Sequence, residues 1–194
     1  MIQRLVGSEM CIRDRCQWAG VSKVWATASG HKADIIKQYS GIPIDRHKED
    51  FVEIVKRETG GRGVDHILVP IDVQNLKRSL KVLAMGGKLY SFGMSAAAPT
   101  SKRSLLKAYF AWRKTPKFDP LKMMSRNQGV FGVHMGTWND EAVIAEQLHR
   151  IIDGVNQGVL DPVVDSVFPV EDAAQAHQYI HDGKNIGKVL LSFK

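Results

Sequence analysis

Residues 60–94 restrict the folds open to this chain more than any other stretch does. They contain an apolar run at 67–70, an amphipathic helical pattern at 75–83, a glycine pair at 86–87 and a second apolar run at 88–92. Apolar runs without polar alternation are typical of parallel strands that are covered on both faces. A glycine pair after a helix suits a left-handed helix cap. The stretch therefore predicts one strand–helix–strand unit of a parallel sheet.

Strand and helix patterns also alternate along the rest of the chain. The predicted strands lie at 23–28, near Ile44, and at 129–134, 163–168 and 188–193, and the predicted helices lie at 31–40, 49–59, 102–114, 140–157 and 171–182. This alternation predicts a doubly wound α/β sheet. Such a sheet binds its ligand at the carboxyl ends of its strands. We therefore expect a functional site near Pro70, Gly93 and Met94.

The composition excludes several classes of protein. The chain is 44% hydrophobic and 24% charged, and no apolar stretch approaches the ~20 residues of a membrane-spanning helix. Cys11 and Cys16 cannot form a disulfide framework or a zinc ribbon, so we expect a reducing, cytoplasmic location. His177 and His181 share a helix face, but Gln178 replaces the glutamate of a zinc protease motif. We expect no metal site.

Residues 1–15 do not resemble the rest of the chain. Arg13-Asp14-Arg15 interrupts any apolar face, and neither a strand nor a capped helix is predicted there. We interpret these residues as a non-native leader, and an ordinary disordered terminus is the alternative. The fold would then begin within a strand–helix unit, at residue 16.

Five blocks of sequence resemble the medium-chain dehydrogenase/reductase superfamily. They are ATASGHK at 26–32, IPIDRHKEDFVEIVKRETGGRGVD at 42–65, LAMGGKLYSFGM at 83–94, GVFGVHMG at 129–136 and GVLDPVVDSVFPVEDAAQAHQYIHDGKNIGKVLL at 158–191. Within the superfamily the chain resembles the quinone oxidoreductase branch, and there the vesicle amine transport protein-like enzymes. The resemblance implies a partial Rossmann domain at 16–138. Residues 139–194 would complete that domain and return to a GroES-like catalytic domain.

The resemblance also implies a function for the intact parent protein. Members of this branch reduce quinone or enone carbonyl compounds with hydride from NADPH and without zinc, and the cofactor supplies the chemistry. The catalytic residues would lie in the first half of the parent, so we assign none here. We expect the fragment alone to be inactive.

The end of the strand at 23–28 predicts a preference for NADP. NAD enzymes of this fold usually place an acidic residue there to bind the ribose 2′-hydroxyl. This chain instead has Ser29 and Gly30, followed by Lys32, and a hydroxyl and a cation suit a 2′-phosphate. The resemblance implies the same, because NADP-binding members carry a lysine here. The alternative is that Lys32 is an ordinary solvated side chain.

Arg46 departs from the family pattern, which commonly has tyrosine at this place. An arginine could stack on the adenine and pair with a phosphate. It could equally be an exposed charge, and the two interpretations stay open.

Other cofactor contacts are implied by the resemblance alone. These residues are Gly93, Met94, Phe131, Gly132 and Val133, which would approach the nicotinamide, and Asn185 and Lys188, which would reach phosphate or ribose oxygens. The alternatives are a core strand for the first group and a polar turn for the second. The resemblance further implies a homodimer through strand 129–134.

Residues 102–114 support a rival function. Leu105, Tyr109 and Trp112 recur at helical spacing, and basic residues lie mostly on the other side. Residues 101–126 carry a net charge of +7, which equals the net charge of the whole chain. Such a helix could bind anionic lipid as a peripheral membrane contact, pack its aromatic face on the sheet, or serve a dimer or a nucleic-acid contact. Nothing else resembles a nucleic-acid-binding fold, so we expect no nucleic acid partner.

Overall fold

The computed structural model describes residues 2–3, 15–70, 73–92, 113 and 117–193. The strands of this part are β1 (Ile2–Gln3), β2 (Trp25–Ala28), β3 (Ile42–Asp45), β4 (Val64–Pro70), β5 (Leu83–Phe92), β6 (Gly129–Val133), β7 (Val164–Pro169) and β8 (Lys188–Ser192). The helices are α1 (Ala33–Gln38), α2 (Phe51–Glu58), α3 (Val73–Leu80), α4 (Pro120–Ser125), α5 (Glu141–Asn156) and α6 (Ala173–His181). The chain divides into two compact units, Met1–Gln3 with Lys48–Thr137 and Arg4–His47 with Trp138–Lys194.

The unit that holds residues 48–137 contains the strand–helix–strand pattern found in the sequence. Its strands lie in the order β1-β4-β5-β6, and each neighbouring pair is parallel. Ile67, Val69 and Leu89 are fully buried in this sheet, as expected for parallel strands covered by helices. Leu76 of α3 is buried as well. The predicted α/β class with parallel strands is confirmed.

The glycine pair has a different place from the predicted one. Helix α3 ends at Leu80, and Gly86 and Gly87 lie inside β5. The helix ends early because Leu83 and Ala84 are buried as the start of the strand, with Val82 buried directly before them. Gly86 has φ +75° and donates its N–H to the Arg126 carbonyl at 3.0 Å. Its left-handed conformation therefore bends a strand and does not cap a helix.

The second unit contains two parallel strand pairs. β2 and β3 pair with Ala28 opposite Asp45, and β7 and β8 pair with Phe168 opposite Leu191. All four residues of β2 are buried, and Ile36 of α1 and Ile44 of β3 are buried in the same unit. The predicted elements at the end of the chain are confirmed within one or two residues of their bounds.

The region from residue 102 to residue 126 can be compared with the prediction only in part. The predicted helix at 102–114 lies outside the described residues, apart from Arg113. A separate helix follows it, α4, which begins with Pro120 and is capped by Asp119, whose side chain accepts from the Leu121 and Lys122 amides.

No helix within the described ranges is long and apolar enough to span a bilayer. The two residues of β1 pair parallel with β4 at Leu68, and the origin of residues 1–15 stays a prediction.

Candidate nucleotide-binding site

The carboxyl ends of β2 and β3 bring Ser29 and Arg46 together. The two strands end level with each other, because Ala28 is the register partner of Asp45. The Arg46 amide then donates to the Ala28 carbonyl at 3.0 Å. This bond fixes the residue after β3 against the end of β2, where a doubly wound sheet binds its ligand.

The Arg46 side chain is held at two points. Nη2 donates to Ser29 Oγ at 2.6 Å, and Nε donates to His47 Nε2 at 3.2 Å. A hydroxyl that accepts from a guanidinium still has its own proton to donate. A neutral His47 that accepts at Nε2 carries its proton on Nδ1. The arrangement presents a guanidinium and a hydroxyl donor side by side.

A short turn adds Lys32 to the same end of β2. Residues Gly30–Lys32 form one 3₁₀ turn, and the Lys32 amide donates to the Ser29 carbonyl at 2.9 Å. Lys32 is half-buried, whereas Arg46 is exposed. The structure therefore places residue 32 one turn from the contact between Ser29 and Arg46. The sequence suggested Ser29 and Lys32 for a 2′-phosphate, and Arg46 for a phosphate or as an exposed charge.

Asp45 closes this site from the side of β3. Its Oδ1 accepts from the His47 amide at 2.9 Å. A Cβ atom built on Gly30 would lie 2.8 Å from its Oδ2, so only glycine fits at residue 30 with Asp45 in this position. Neither Asp45 nor His47 is predicted as a site residue from the sequence. Their only sequence signal is their position directly beside Arg46.

The other unit contains the strand residues suggested for the nicotinamide. Phe131 of β6 stacks on its register partner Tyr90, with ring centroids 5.4 Å apart, and Tyr90 stacks on His66 at 6.0 Å. Gly132 is exposed beside Phe131, and Val133 ends the strand. Gly93 and Met94 lie outside the described residues. Phe131 thus belongs to a row of three rings across β4, β5 and β6, which sequence periodicity did not reveal.

Asn185 has a structural role in the turn before β8. It is 1% exposed, and its Nδ2 donates to the Gly187 carbonyl at 2.8 Å. Its Oδ1 is buried and accepts no hydrogen bond from the described residues. Lys188 begins β8, and its amide donates to the Val163 carbonyl at 2.8 Å. Contact of Asn185 and Lys188 with a cofactor stays a prediction.

Asp165 holds this turn in place. Its Oδ1 accepts from the Ile186 amide at 2.8 Å, and its Oδ2 accepts from Ser166 Oγ at 3.1 Å. The hydrogen bond with Asp165 also raises the pKa of Tyr179 above its usual value, with burial as a second cause. The buried conformation of Asn185 is therefore fixed by its own unit.

Among the described residues, no group of three or more His, Cys, Asp and Glu side chains could hold a metal ion. His177 and His181 lie on α6 and form no such group. The site at β2 and β3 combines the Arg46 guanidinium and the Ser29 hydroxyl with the Asp45 carboxylate, and the two donors suit an anionic ligand.

Comparison with known proteins places the chain in a family. Residues 42–191 match the family model for zinc-binding dehydrogenases. The mouse synaptic vesicle membrane protein VAT-1 homolog is 30% identical over 188 residues, which cover 95% of this chain and 46% of that protein. Rat quinone oxidoreductase is 27% identical over 173 residues, which cover 87% of this chain and 46% of that protein.

A solved structure of a mycobacterial protein complexed with NADPH has the same fold, with a TM-score of 0.76 at 21% identity, covering 98% of this chain and 56% of that one. The chain thus spans about half the length of the curated relatives it matches. The resemblance to the quinone oxidoreductase branch and its vesicle amine transport protein-like members is confirmed by these matches. The chain belongs to the zinc-binding dehydrogenase family of the medium-chain dehydrogenase/reductase superfamily.

Proposed function

We propose that this chain supplies the nucleotide-binding part of a zinc-independent, NADPH-dependent oxidoreductase. The complete protein would transfer hydride from NADPH to a quinone or enone carbonyl compound. The family supports a dehydrogenase or reductase, the rat relative is named a quinone oxidoreductase, and one neighbour of the same fold is complexed with NADPH. The cofactor would supply the hydride, and the residues of this chain would bind and orient it.

The contact between Ser29 and Arg46 is the observation that favours NADPH over NADH as the cofactor. A 2′-phosphate is a dianion near neutral pH, and charge-assisted hydrogen bonds to it are about twice as strong as neutral ones. Arg46 offers a guanidinium, Ser29 a hydroxyl proton and Lys32 an ammonium at the end of β2. The residues from Ala28 to Gly30 include no acid, so the acidic residue that NAD enzymes usually carry at the end of this strand is absent.

The carboxylate of Asp45 argues for NAD. A carboxylate in this region of the fold binds the ribose 2′-hydroxyl in NAD enzymes. Asp45, however, ends β3 and not β2, and its Oδ1 accepts from the His47 amide. We therefore assign Asp45 to the support of the 45–47 turn.

The test uses two ligands that differ only in the 2′-phosphate, 2′,5′-ADP and 5′-AMP, with binding measured by calorimetry. We expect the chain to bind 2′,5′-ADP at least about tenfold more tightly, because a charged hydrogen bond contributes about 1.5–3 kcal/mol. Arg46→Glu and Lys32→Glu should each remove most of this difference. Lys56→Glu changes an exposed lysine of α2 and is the control. Equal affinities for the two ligands would show that the site does not select NADP.

A second proposal is peripheral membrane contact of a cytoplasmic protein through residues 102–114. Several relatives are named synaptic vesicle membrane proteins, and this segment is strongly basic. The segment lies outside the described residues. The proposal is tested by flotation with anionic vesicles, comparing the wild type with a variant in which the basic residues of 102–114 are replaced by glutamate. A homodimer through β6 is a further proposal, tested by light scattering.

A further inference from the structure

Three strongly exposed apolar side chains lie at the amino-terminal edge of β5 and β6. Met85 is 70% exposed, Leu121 71% and Met124 69%. Leu121 and Met124 are three positions apart on α4, so they project from the same side of that helix. Exposed apolar side chains that lie together, unlike ones scattered singly, can mark an interaction surface.

Hydrogen bonds fix these side chains in one region of the unit. The Gly86 amide, next to Met85, donates to the Arg126 carbonyl at 3.0 Å. Gln128 Nε2 donates to the Leu83 and Ala84 carbonyls at 2.8 and 3.1 Å. The start of β5 and the end of α4 are therefore held beside each other. We name Met85, Leu121 and Met124 the methionine patch.

The surroundings of the methionine patch are basic. The segments 81–88 and 117–126 hold five basic residues and one acidic residue, and the start of β4 beside them adds the ion pair of Arg62 with Asp65. The basic side chains are Lys81, Lys88, Lys117, Lys122 and Arg126. The acidic residue, Asp119, accepts from the Leu121 and Lys122 amides as the cap of α4. The Asp119 carboxylate is thus already hydrogen-bonded to the amino terminus of α4.

We propose that the methionine patch is a docking site for an anionic phospholipid surface. Apolar side chains that project individually can enter the acyl boundary of a bilayer, whereas lysine and arginine side chains extend to the headgroups. Each cation near such a surface adds electrostatic attraction. The patch lies at the amino ends of the strands, opposite the carboxyl ends where nucleotides bind in this fold. The proposal does not depend on the reductase function, and it uses residues other than 102–114.

The experiment is flotation of the 194-residue chain with two kinds of vesicle. One consists of phosphatidylcholine alone, and the other also contains about 30% phosphatidylserine, an anionic lipid. We expect binding only to the second kind, and weaker binding at high salt. Met85→Ser, Leu121→Ser and Met124→Ser, combined, should lower the bound fraction about tenfold, since they remove the inserted apolar groups. The control combines Val167→Ser, Leu190→Ser and Phe193→Ser, which are 58, 44 and 78% exposed in the other unit, and should bind as the wild type does.

Three outcomes would overturn the proposal: no binding to anionic vesicles, equal binding to neutral ones, or unchanged binding by the methionine-patch variant. If only charge reversal in 102–114 abolishes flotation, lipid binding is real but belongs to that segment. A measurement on the wild type avoids any folding defect of the variant. Anionic vesicles should slow hydrogen exchange of the backbone amides at 117–128, and unchanged exchange there would also overturn the proposal.

Discussion

Arg46 and Ser29 form a direct hydrogen bond of 2.6 Å between Nη2 and Oγ, although they lie 17 residues apart in the chain. Their contact depends on the register that sets Ala28 opposite Asp45. Because the ends of both strands contribute, the chemistry of one position changes the environment of the other. This coupling gives two predictions about nucleotide selection.

Ser29→Asp should remove the preference of the site for a 2′-phosphate over a 2′-hydroxyl. A carboxylate at residue 29 would pair with Arg46 and repel the phosphate, so we expect the affinity for 2′,5′-ADP to fall at least about tenfold. The affinity for 5′-AMP should change little. Ser29→Asn has the same shape without the charge and is the matched control. Equal losses in both variants, measured by calorimetry, would attribute the effect to size and not to charge.

His47 should act as a positioning residue for Arg46. Its Nε2 accepts from Arg46 Nε at 3.2 Å, and a hydrogen bond contributes about 0.5–1.5 kcal/mol net, or about 2–12-fold in affinity. We expect His47→Ala to lower the preference for 2′,5′-ADP over 5′-AMP by about that factor. His47→Gln retains an acceptor and should restore it. If Gln and Ala behave alike in this ratio, the ring does not orient the guanidinium.

Much of the fold could be predicted from the sequence, but contacts between elements could not. The apolar runs around Ile67 and Leu89 indicated buried parallel strands, and both side chains are 0% exposed. The glycine pair at 86–87 predicts a helix cap from local propensity alone, and this prediction is wrong because burial of Leu83 and Ala84 extends the strand.

The same limit applies to the site. Ser29, Lys32 and Arg46 were each suggested by their residue type and position. Neither the bond between Ser29 and Arg46 nor the role of His47 is encoded in spacing, because both depend on strand register and side-chain conformation.

Gly63 should tolerate no side chain. It has φ +87°, and a Cβ atom there would lie 3.0 Å from the Val82 carbonyl carbon and 3.1 Å from the Ala84 nitrogen. Gly63→Ala therefore combines backbone strain with a clash against backbone, and we expect a loss of about 2–4 kcal/mol in the free energy of unfolding. Gly61→Ala is the matched control, since Gly61 has φ +83° and no atom within 4 Å of the added Cβ. It should lose only about 1 kcal/mol, measured by urea denaturation. Equal losses of stability in the two variants would mean that the structure around residue 63 shifts and relieves the clash.

Asp50 should make stability depend on acid pH. Burial raises the pKa of this carboxyl, but the hydrogen bond from the Val52 amide and the charge of Arg78 outweigh it, so the pKa lies below its usual 3.8. Arg78 Nη2 binds Asp50 at 2.7 Å, and its guanidinium lies 4.7 Å from the centre of the Phe51 ring. A lowered pKa in the folded state stabilises the protein above the unfolded value. That stabilisation disappears as the pH falls through the folded pKa.

The comparison of two substitutions separates the charge of Asp50 from its role as a helix cap. Asp50→Ala should lose about 1 kcal/mol at pH 7, because α2 loses its N-cap. Asp50→Asn keeps a capping side chain, so it should lose less stability than Asp50→Ala. Its loss should equal the contribution of the charge attraction between Asp50 and Arg78. The difference between Asn and wild type should be present at pH 7 and should vanish below the folded pKa, whereas the deficit of Ala relative to Asn should persist there. Thermal unfolding followed by circular dichroism between neutral and acid pH measures both. A difference between Asn and wild type that stays constant over this range would show that the ion pair with Arg78 does not stabilise the fold.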